Sequence, residues 1–585
     1  MTKTKTHSLR SSLGALLAAF AVGCSAAPET PAPTSAEKTA APDVDDPLAA
    51  VVQKMTPLAT PCAFSATTGI MTVTVASGET AIIAKRPTDA VIVQNGVPCA
   101  TAATSTTLKK IAITGSSGDE TVIVDFTSGL FATGTSSATS GITVDMGGSG
   151  GSDVFGIRGQ NSTGSTDTVT FGSTGVAVNT DAYKDISFTA EPDSYIVSLA
   201  DGKDVWSAAG GSSMGIGTAY AGGKPLVVYG GAGDDTFNQG SAITAGEEIH
   251  GGSGNDTVSY ASRGASAPIT VTVGAAANDG DNGGAELDDI KSDVEILTGG
   301  DGNDSLTAAT GVAITLNGGK GNDTLTGDSG ADTINGNEGN DTIAGGDGND
   351  TLNGNDGNDV FDEGTDANGG DVMNGGAGTD KVDYSGRTGT GVTVTMDGVA
   401  ANDGKTGASE GDNVKSDIEN IDGSDLVDVI TGNASANVIK GGLGNDTLTG
   451  GDGDDVFDQG ADLTLNDLDS DIISGGNGVD TVDYSSRTVG LTILLDNAAD
   501  SGDSTTPTVP ETDKLDCENA IGGHGNDSIT GNSGPNELSG GAGNDALVGL
   551  DGDDILDGQT GTNTLDCGAG DGDIGFNGTP TACEF

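Results

Sequence analysis

Aspartates recur at every ninth residue in the middle of this chain. Asp323, Asp332, Asp341, Asp350 and Asp359 each end a six-residue turn that is rich in Gly and Asn. Carboxylate and turn-carbonyl oxygens are the ligands of hard cations, and Ca²⁺ takes six to eight of them. Acids stacked on strands only about 4.8 Å apart would not stay ionised without such a cation. The spacing therefore predicts a series of calcium sites.

Short strands between glycine-rich turns must position these acids. Residues 318–362 divide into five copies of nine residues, with Gly first and fourth, Asp sixth and a large apolar residue eighth. Gly, Asn and Asp tolerate positive φ and form turns, and the next three residues bury one apolar side chain. Two copies make one coil, so alternate copies stack on the same side. A flexible linker, the other interpretation, needs no apolar residue at every ninth position.

The pattern resembles the glycine-rich nonapeptide of RTX (hemolysin-type) calcium-binding proteins. The resemblance covers residues 230–566 and implies an all-β fold, a right-handed parallel β-roll (β-solenoid) that binds several Ca²⁺ ions. Carried over position by position, it implies turn carbonyls and sixth-position acids as metal ligands. These acids are Asp235, Asp256, Asp304, Asp323, Asp332, Asp341, Asp350, Asp359, Asp380, Asp446, Asp455, Asp480, Asp527, Asp545 and Asp554. Two copies end in Asn437 and Asn536 instead, which predicts weaker or empty sites there.

The charge balance excludes one class of partner. The 585 residues include 86 acids and 23 Lys plus Arg, for a net charge of −63. Nucleic acid is therefore not an expected partner, because binding it requires a basic face. Aromatic residues make up only 3% of the chain, which favours a thin solenoid core over a conventional globular one.

The N-terminal residues have the features of an export signal. Residues 1–23 combine basic residues with a short apolar run and are predicted to be a signal peptide. Cys24 follows in a lipobox-like sequence, which predicts lipidation; a plain cleaved secretory signal is the alternative. Residues 24–59 are predicted to form a disordered Pro/Ala/Thr tether. We expect a Gram-negative outer-membrane or cell-surface lipoprotein or an extracellular protein, with membrane contact only through the lipid anchor.

The rest of the chain divides into three predicted regions. Residues 60–229 alternate β-branched runs with turns and contain decayed repeats, with Glu120 and Asp153 near the sixth position. They are predicted to form a degenerate solenoid, with a separate β-sandwich as the alternative. Residues 230–566 form the predicted roll, with three longer inserts. Residues 567–585 are predicted to cap its open end.

The three inserts share a Tyr-x-x-Arg sequence that ends in Arg263, Arg387 and Arg487. Each is followed by an acidic loop and then by a glutamate: Glu295, Glu419 and Glu518, respectively. Two interpretations stay open for each module: an ion pair between its arginine and its glutamate, or a solvated arginine at the surface.

Five cysteines follow Cys24. An exported chain permits disulfides, and proximity in sequence favours Cys62–Cys99 and Cys567–Cys583. Cys517 stays unassigned.

The chain lacks HExxH, GxSxG, Walker and dinucleotide motifs as well as zinc-type Cys/His spacing. We therefore expect a non-enzymatic, calcium-stabilised structural or adhesive protein outside the cell. Its expected partners are calcium ions and, beyond them, surface polysaccharide or other cells. Since acid pairs are frequent, a secreted carbohydrate-active enzyme or its calcium-binding accessory module is the alternative function.

Overall fold

A computed structural model describes most of the chain. The described residues are 48 and 62–583, apart from 87–89, 100–102, 105–107, 129–140, 147–151, 161–165, 174, 179–183, 209–223, 242–245, 276–278, 282–285, 309–310, 367, 400–401, 408–409, 462–469, 504–510, 571 and 582. The predicted signal peptide (1–23), Cys24 and the predicted tether (24–59) lie outside this set, except for Leu48, which is buried against Ile82, Ile123 and Ile196.

The fold is all-β and is dominated by long sheets of parallel strands, which confirms the predicted class. The chain divides into two compact units. The first comprises Met1–Asp256 with Ala285–Asp293, and the second comprises Thr257–Gly284 with Val294–Phe585. Within the described residues, no helix is both long and apolar enough to span a bilayer.

The first unit stacks its strands at irregular intervals of sequence. Its described strands up to residue 256 are β1 (Ala63–Ser65), β2 (Ile70–Thr74), β3 (Thr80–Lys85), β4 (Ile92–Gln94), β5 (Val97–Pro98), β6 (Lys110–Thr114), β7 (Thr121–Asp125), β8 (Ile142–Asp145), β9 (Val154–Arg158), β10 (Thr168–Gly172), β11 (Gly175–Val178), β12 (Ile186–Ala190), β13 (Ser194–Ser198), β14 (Val205–Ser207), β15 (Leu226–Ala232), β16 (Thr236–Asn238) and β17 (Glu247–Ser253). Strands β3, β7, β9, β13, β15 and β17 pair in this order, and every pair is parallel. This order fits a degenerate solenoid and not a β-sandwich, whose strands are antiparallel.

The second unit contains the regular repeat. All of the following strands belong to it except Asp289–Ile290, which belongs to the first unit. They are β18 (Thr257–Ser259), β19 (Ile269–Val273), β20 (Gly280–Asp281), β21 (Asp289–Ile290), β22 (Ile296–Thr298), β23 (Ser305–Ala308), β24 (Thr315–Lys320), β25 (Thr324–Thr326), β26 (Thr333–Glu338), β27 (Thr342–Ala344), β28 (Thr351–Asp356), β29 (Val360–Asp362), β30 (Val372–Ala377), β31 (Lys381–Asp383), β32 (Val392–Thr395), β33 (Gly404–Lys405), β34 (Asn413–Val414), β35 (Asn420–Asp422), β36 (Val429–Thr431), β37 (Val438–Lys440), β38 (Thr447–Asp452), β39 (Val456–Asp458), β40 (Ile472–Asn477), β41 (Thr481–Asp483), β42 (Leu491–Leu494), β43 (Ala499–Asp503), β44 (Asp513–Asp516), β45 (Asn519–Ile521), β46 (Ser528–Thr530), β47 (Glu537–Ser539), β48 (Ala546–Val548), β49 (Ile555–Asp557), β50 (Thr564–Asp566), β51 (Ile574–Phe576) and β52 (Thr579–Thr581).

Alternate nonapeptides stack on opposite sheets, as the sequence predicts. Strands β24, β26 and β28 pair in parallel on one sheet, and β25, β27 and β29 pair in parallel on another. Their eighth-position side chains, such as Leu325 and Ile343, are fully buried. Burying one such side chain contributes about 1.5–3 kcal/mol, so the core is a thin line of single side chains.

An amide ladder runs beside this core. The side chains of Asn317, Asn335, Asn353 and Asn374 are joined by successive Nδ2–H···Oδ1 hydrogen bonds of 2.9 Å. Each amide satisfies the next, so these half-buried polar groups stabilise the stacking of coils.

Two disulfides are present among the described residues. Cys62 is bonded to Cys99, and Cys567 is bonded to Cys583. Cys517 is a buried free thiol, and burial raises its pKa well above the ordinary value.

Candidate metal sites

The sixth-position acids stack into rows within each unit. All fifteen predicted aspartates are buried, each with at most 2% of its surface exposed. In the longest row, the Oδ1 of each aspartate accepts the backbone N–H of the aspartate one coil earlier. This row contains Asp304, Asp323, Asp341, Asp359 and Asp380, and its hydrogen bonds measure 2.7–2.8 Å. The rows therefore fix one oxygen of each carboxylate and leave the orientation of the second to the turn.

The second oxygen lacks a donor in ten of the fifteen acids. Among the described residues, no hydrogen-bond partner reaches the Oδ2 of Asp235, Asp323, Asp341, Asp350, Asp359, Asp380, Asp455, Asp480, Asp545 and Asp554. A buried carboxylate oxygen without a partner is costly. Each of these oxygen atoms is therefore able to bind a cation or a proton.

Glycine at the first repeat position holds a cradle open beside this oxygen. A Cβ on Gly336 would collide with Asp341 Oδ2 and would lie 2.8 Å from the carbonyl oxygen of Gly354 in the next coil. Gly318 stands in the same relation to Asp323 Oδ2 and to the Gly336 carbonyl. A carboxylate and a carbonyl oxygen thus face one small space. This all-oxygen donor set fits Ca²⁺, which binds carboxylates and backbone carbonyls at about 2.3–2.6 Å.

The second residue of the turn separates two classes of acid. In the turns that leave Oδ2 unpaired, this residue has a left-handed backbone, with φ of 114° at Gly319, 77° at Asn337 and 92° at Gly346. Gly and Asn are the residues that tolerate this conformation. Gly or Asn occupies this position in nine of the ten turns, and Leu550 adopts the same conformation in the tenth, with φ of 83°. The turn therefore favours Gly or Asn here for the backbone as well as for space.

The first acid of a row is different. Asp332 accepts the N–H of Ile314 through Oδ1 and the N–H of Asp328, the second residue of its own turn, through Oδ2. Asp304 and Asp527 are likewise bonded through both oxygens. The second residues of these three turns, Gly300, Asp328 and Gly523, do not have the left-handed conformation. Gly327 stands in the same relation to Asp332 Oδ2 and the Gly345 carbonyl as Gly336 does to Asp341 Oδ2 and the Gly354 carbonyl. These three acids therefore share the glycine geometry, but both of their carboxylate oxygens are already bonded to peptide N–H groups.

In the two copies with Asn in place of the aspartate, the side chain is hydrogen-bonded within the protein. Asn437 Oδ1 accepts the N–H of Asn433, and its Nδ2 donates to the Glu419 carbonyl at 2.9 Å. Asn536 Nδ2 donates in the same way to the Glu518 carbonyl. The amide nitrogen thus supplies the donor that a carbonyl oxygen needs, which supports the predicted weakness of these two sites.

The aspartates are hard to ionise when no cation is present. Burial raises the pKa of Asp323 to about 8, and the charges of Asp341 and Asp304 add to this shift. Burial likewise raises the pKa of Asp350 to about 7 and that of Asp359 to about 6. A cation in the cradle would reverse the shift by favouring the charged form.

We expect stability to respond to pH in opposite directions with and without calcium. In chelator, the unfolded chain ionises from pH 3.8 upward while the folded chain retains protons to about pH 8, so stability falls as pH rises through this window. In calcium, carboxylates are required for binding, so stability rises through the same window. The folded fraction, measured by far-UV circular dichroism at several pH values, gives the direction in chelator, and urea unfolding gives the slope in calcium. The same direction in the two conditions would count against cation binding by these acids.

The rows also contain acids that the nonapeptide pattern did not reveal. Asp371 and Asp412 extend the row of Asp332 and Asp350, because each Oδ1 accepts the N–H of the acid before it. The same contact places Asp204, Asp471, Asp513 and Asp573 in rows, and Glu419 and Glu518 occupy the same place through Oε2. Asp428 begins a further row, because its Oδ1 accepts the Val392 N–H and its own N–H donates to Asp446 Oδ1. Asp371 could have been found from the sequence, because the residues after it, Val-Met-Asn-Gly-Gly, match the strand of a repeat.

Both interpretations of the insert arginines are wrong for Arg387. Only 2% of Arg387 is exposed, so it is not solvated. Its Nη2 lies 3.0 Å from Glu363 and 2.7 Å from Glu410, whereas Glu419 accepts the Asp380 N–H. The spacing in sequence suggested Glu419 as the partner of Arg387, but Glu419 instead takes a place in the row of acids.

The other two arginines are buried as well, with 1% of Arg263 and 8% of Arg487 exposed. Arg487 pairs with Glu511 at 3.2 Å, and Glu518 accepts the Asp480 N–H. The acidic loop, and not the strand after it, supplies the partner.

A separate cavity of about 430 Å³ lies in the first unit. Phe188 and Tyr195 line it and meet edge-to-face, with ring centroids 5.4 Å apart. Lys184 and Glu191 add charged groups to its wall. Aromatic faces with polar groups beside them can bind the faces and hydroxyls of a sugar.

Comparison with known proteins identifies the repeats. Segments 227–240, 246–261, 292–311, 315–343, 335–368, 422–457, 521–556 and 539–574 match the family described as RTX calcium-binding nonapeptide repeat (4 copies). The matches include Asp235, Asp341 and Asp455 but not Asp380 or Asp480, whose cradles the geometry adds. A search of curated proteins found no match.

Proposed function

We propose that this chain, which carries RTX-type calcium-binding repeats between residues 227 and 574, is a calcium-stabilised structural or adhesive protein outside the cell. One observation carries the proposal: ten buried aspartates each keep an oxygen that no donor reaches within the part of the chain that the structure describes. Cations at these oxygens would join successive coils within each unit and stiffen them. Stiffened coils suit a protein that presents or supports a surface, and they require a calcium-rich medium.

The proposed ligands are these ten carboxylates and backbone carbonyls of the next coil. Glycine carbonyls face Asp235, Asp323, Asp341, Asp359 and Asp455, and the carbonyls of Asp417 and Cys567 face Asp380 and Asp554. Asp256 and Asp446 continue their rows through Oδ1 and join the proposed set. Asp304, Asp332 and Asp527, which the sequence also implies, are left out because peptide N–H groups occupy both oxygens.

Export to the outside of the cell supports the calcium role. Residues 1–23 have the features of a signal peptide, and Cys24 follows a lipobox-like sequence. The disulfides Cys62–Cys99 and Cys567–Cys583 suit an oxidising compartment. We propose that a lipidated Cys24 tethers the solenoid to the outer membrane, where calcium is available.

Replacing the anchor should change location without changing the fold. We expect Cys24→Ser to move the protein from the membrane fraction to the periplasm or medium, because a multiply acylated Cys anchors stably and Ser cannot be acylated in this way. Fractionation followed by immunoblotting measures the shift, with Ser25→Ala as the neighbouring control.

Protease treatment of intact cells then tests surface display and calcium together. The anchored protein should resist digestion in calcium and be degraded when a chelator is added. Membrane retention of Cys24→Ser would overturn the anchor, and protection that is identical with and without calcium would overturn the stabilising role.

The aromatic cavity of the first unit favours a second candidate function, carbohydrate binding. Phe188, Tyr195 and Glu191 would supply the stacking face and a hydroxyl partner. Retention on immobilised acidic or neutral polysaccharide, lost in Phe188→Ala, would support it. Release of reducing ends during that assay would favour a carbohydrate-active enzyme instead.

A further inference from the structure

A cluster of three buried carboxylates lies inside the second unit, where the acidic loop of the second insert module meets the coil before it. Glu363 follows β29, Asp371 precedes β30 and Asp412 precedes β34. At most 1% of each side chain is exposed, and one oxygen from each lies within 4.8 Å of the other two. We refer to these three residues as the carboxylate cluster.

Hydrogen bonds account for only part of this cluster. Asp412 accepts the Asp371 N–H at 3.0 Å and the Tyr384 hydroxyl at 2.9 Å. Glu363 Oε2 accepts from Arg387 at 3.0 Å and from Asn368 at 3.2 Å. Glu363 Oε1 and Asp371 Oδ2 have no hydrogen-bond partner among the described residues. Two buried oxygens can therefore still accept a positive group, because no described residue donates to them.

The nearby arginine does not balance the charge. Arg387 Nη2 is shared between Glu363 and Glu410, while Asp371 and Asp412 add two more acids. Four carboxyl groups thus face a single guanidinium in a region closed to water. Repulsion of this kind is relieved by a bound cation or by protons.

The third insert module provides an internal comparison. There, Tyr484 donates to Asp513, Asp513 accepts the Asp471 N–H, and Arg487 pairs with Glu511. The position that corresponds to Glu363, after the sequence Val-Phe-Asp, is Gln459. The same scaffold therefore forms with a neutral side chain, so the extra carboxylate of Glu363 is not required for folding.

We propose that the carboxylate cluster binds one divalent cation of the hard, oxygen-preferring class, calcium in the first place, through Glu363 Oε1, Asp371 Oδ2 and Asp412. The site is distinct from the nonapeptide cradles, because the turn before Asp371 has Asp366 where a cradle has its first glycine. All three ligands are carboxylates, two from one coil and one from the acidic loop of the insert that follows it. The ion would join the acidic loop that carries Asp412 to the coils on which it stacks.

Terbium luminescence can isolate this site from the others. Tb³⁺ replaces Ca²⁺ at oxygen sites and emits strongly when a neighbouring tyrosine absorbs, and Tyr384 contacts the cluster through Asp412. The full chain, folded in calcium, is titrated with Tb³⁺ while tyrosine is excited. The emission that disappears in Tyr384→Phe is the signal of this cluster.

Glu363→Gln is the decisive variant, because it reproduces Gln459. We expect it to lose the Tyr384-dependent emission while its circular dichroism in calcium matches the wild type. We expect the reciprocal Gln459→Glu to gain a new emission that depends on Tyr484. Excess calcium should quench both signals.

Several results would overturn the proposal. One is a Tyr384-dependent emission that stays unchanged in Glu363→Gln. Another is emission that does not differ between the wild type and Tyr384→Phe. Either result would indicate that protons or water, and not a cation, relieve the repulsion in the cluster. If Glu363→Gln failed to fold, absence of new emission in a folded Gln459→Glu would have the same force.

Discussion

Removal of calcium should unfold most of residues 230–566. The cradles place buried carboxylates against carbonyl oxygens, and a net charge of −63 adds long-range repulsion. Ordering each residue of the glycine-rich turns costs about 1–2 kcal/mol of backbone entropy. The binding energy of the metal is therefore folding energy. Far-UV circular dichroism in chelator should show mostly disordered chain, which converts to β-structure when millimolar calcium is added.

Magnesium is the matched control for this experiment. It requires a tighter octahedral shell at about 2.0–2.1 Å and gives up its water reluctantly, so it should restore little structure at the same concentration. A spectrum that stays the same in chelator, or full recovery in magnesium, would contradict calcium-driven folding.

Two aspartates nine residues apart should respond very differently to the same substitution. No described residue donates to Asp341 Oδ2, and its row neighbours Asp323 and Asp359 also form cradles. Asp332 is satisfied by two peptide N–H groups. We expect Asp341→Asn to remove or weaken two calcium sites, whereas Asp332→Asn should remove none.

The slope of stability against calcium concentration separates these effects. Each bound ion contributes to the rise of the free energy of unfolding with calcium. Asp332→Asn loses a hydrogen bond worth about 1.5–3 kcal/mol, so its line should be shifted down but parallel to the wild type. Asp341→Asn should give a shallower line. Equal slopes for the two variants would refute the distinction between first and later acids of a row.

The sequence predicted the repeat well because each feature of it is local. A turn of six residues followed by one apolar residue specifies a short strand with one buried face, and Leu325 and Ile343 lie there as expected. The period also predicted that Asp323 and Asp341 share one row while Asp332 belongs to another. These outcomes follow from periodicity alone.

The backbone state of the turns could not be predicted from residue type. Gly300 and Gly319 both occupy the second position of a turn, yet only Gly319 has a left-handed φ. A Cβ on Gly319 would collide with the Gly300 carbonyl of the coil before it, whereas Gly300 begins its row. The difference therefore depends on what precedes the turn in space, and not on its sequence.

The carboxylate cluster was hidden for a related reason. Glu363 and Asp412 are far apart in sequence, and the acidic loop that ends at Asp412 brings them within 4.8 Å. The partner of Arg387 was mispredicted because acids are abundant in this region and spacing does not distinguish among them. Contacts across an insert depend on the path of its loop, which periodicity does not specify.

Crystals grown in calcium and measured for anomalous scattering would locate the ions directly. Peaks should lie beside Asp323, Asp341 and Asp359 at their Oδ2 atoms, between each carboxylate and the glycine carbonyl of the next coil. No peak should lie beside Asp332 or Asp527. Empty density at the first three acids, or peaks of equal height at all five, would contradict the assignment of calcium to the glycine cradles.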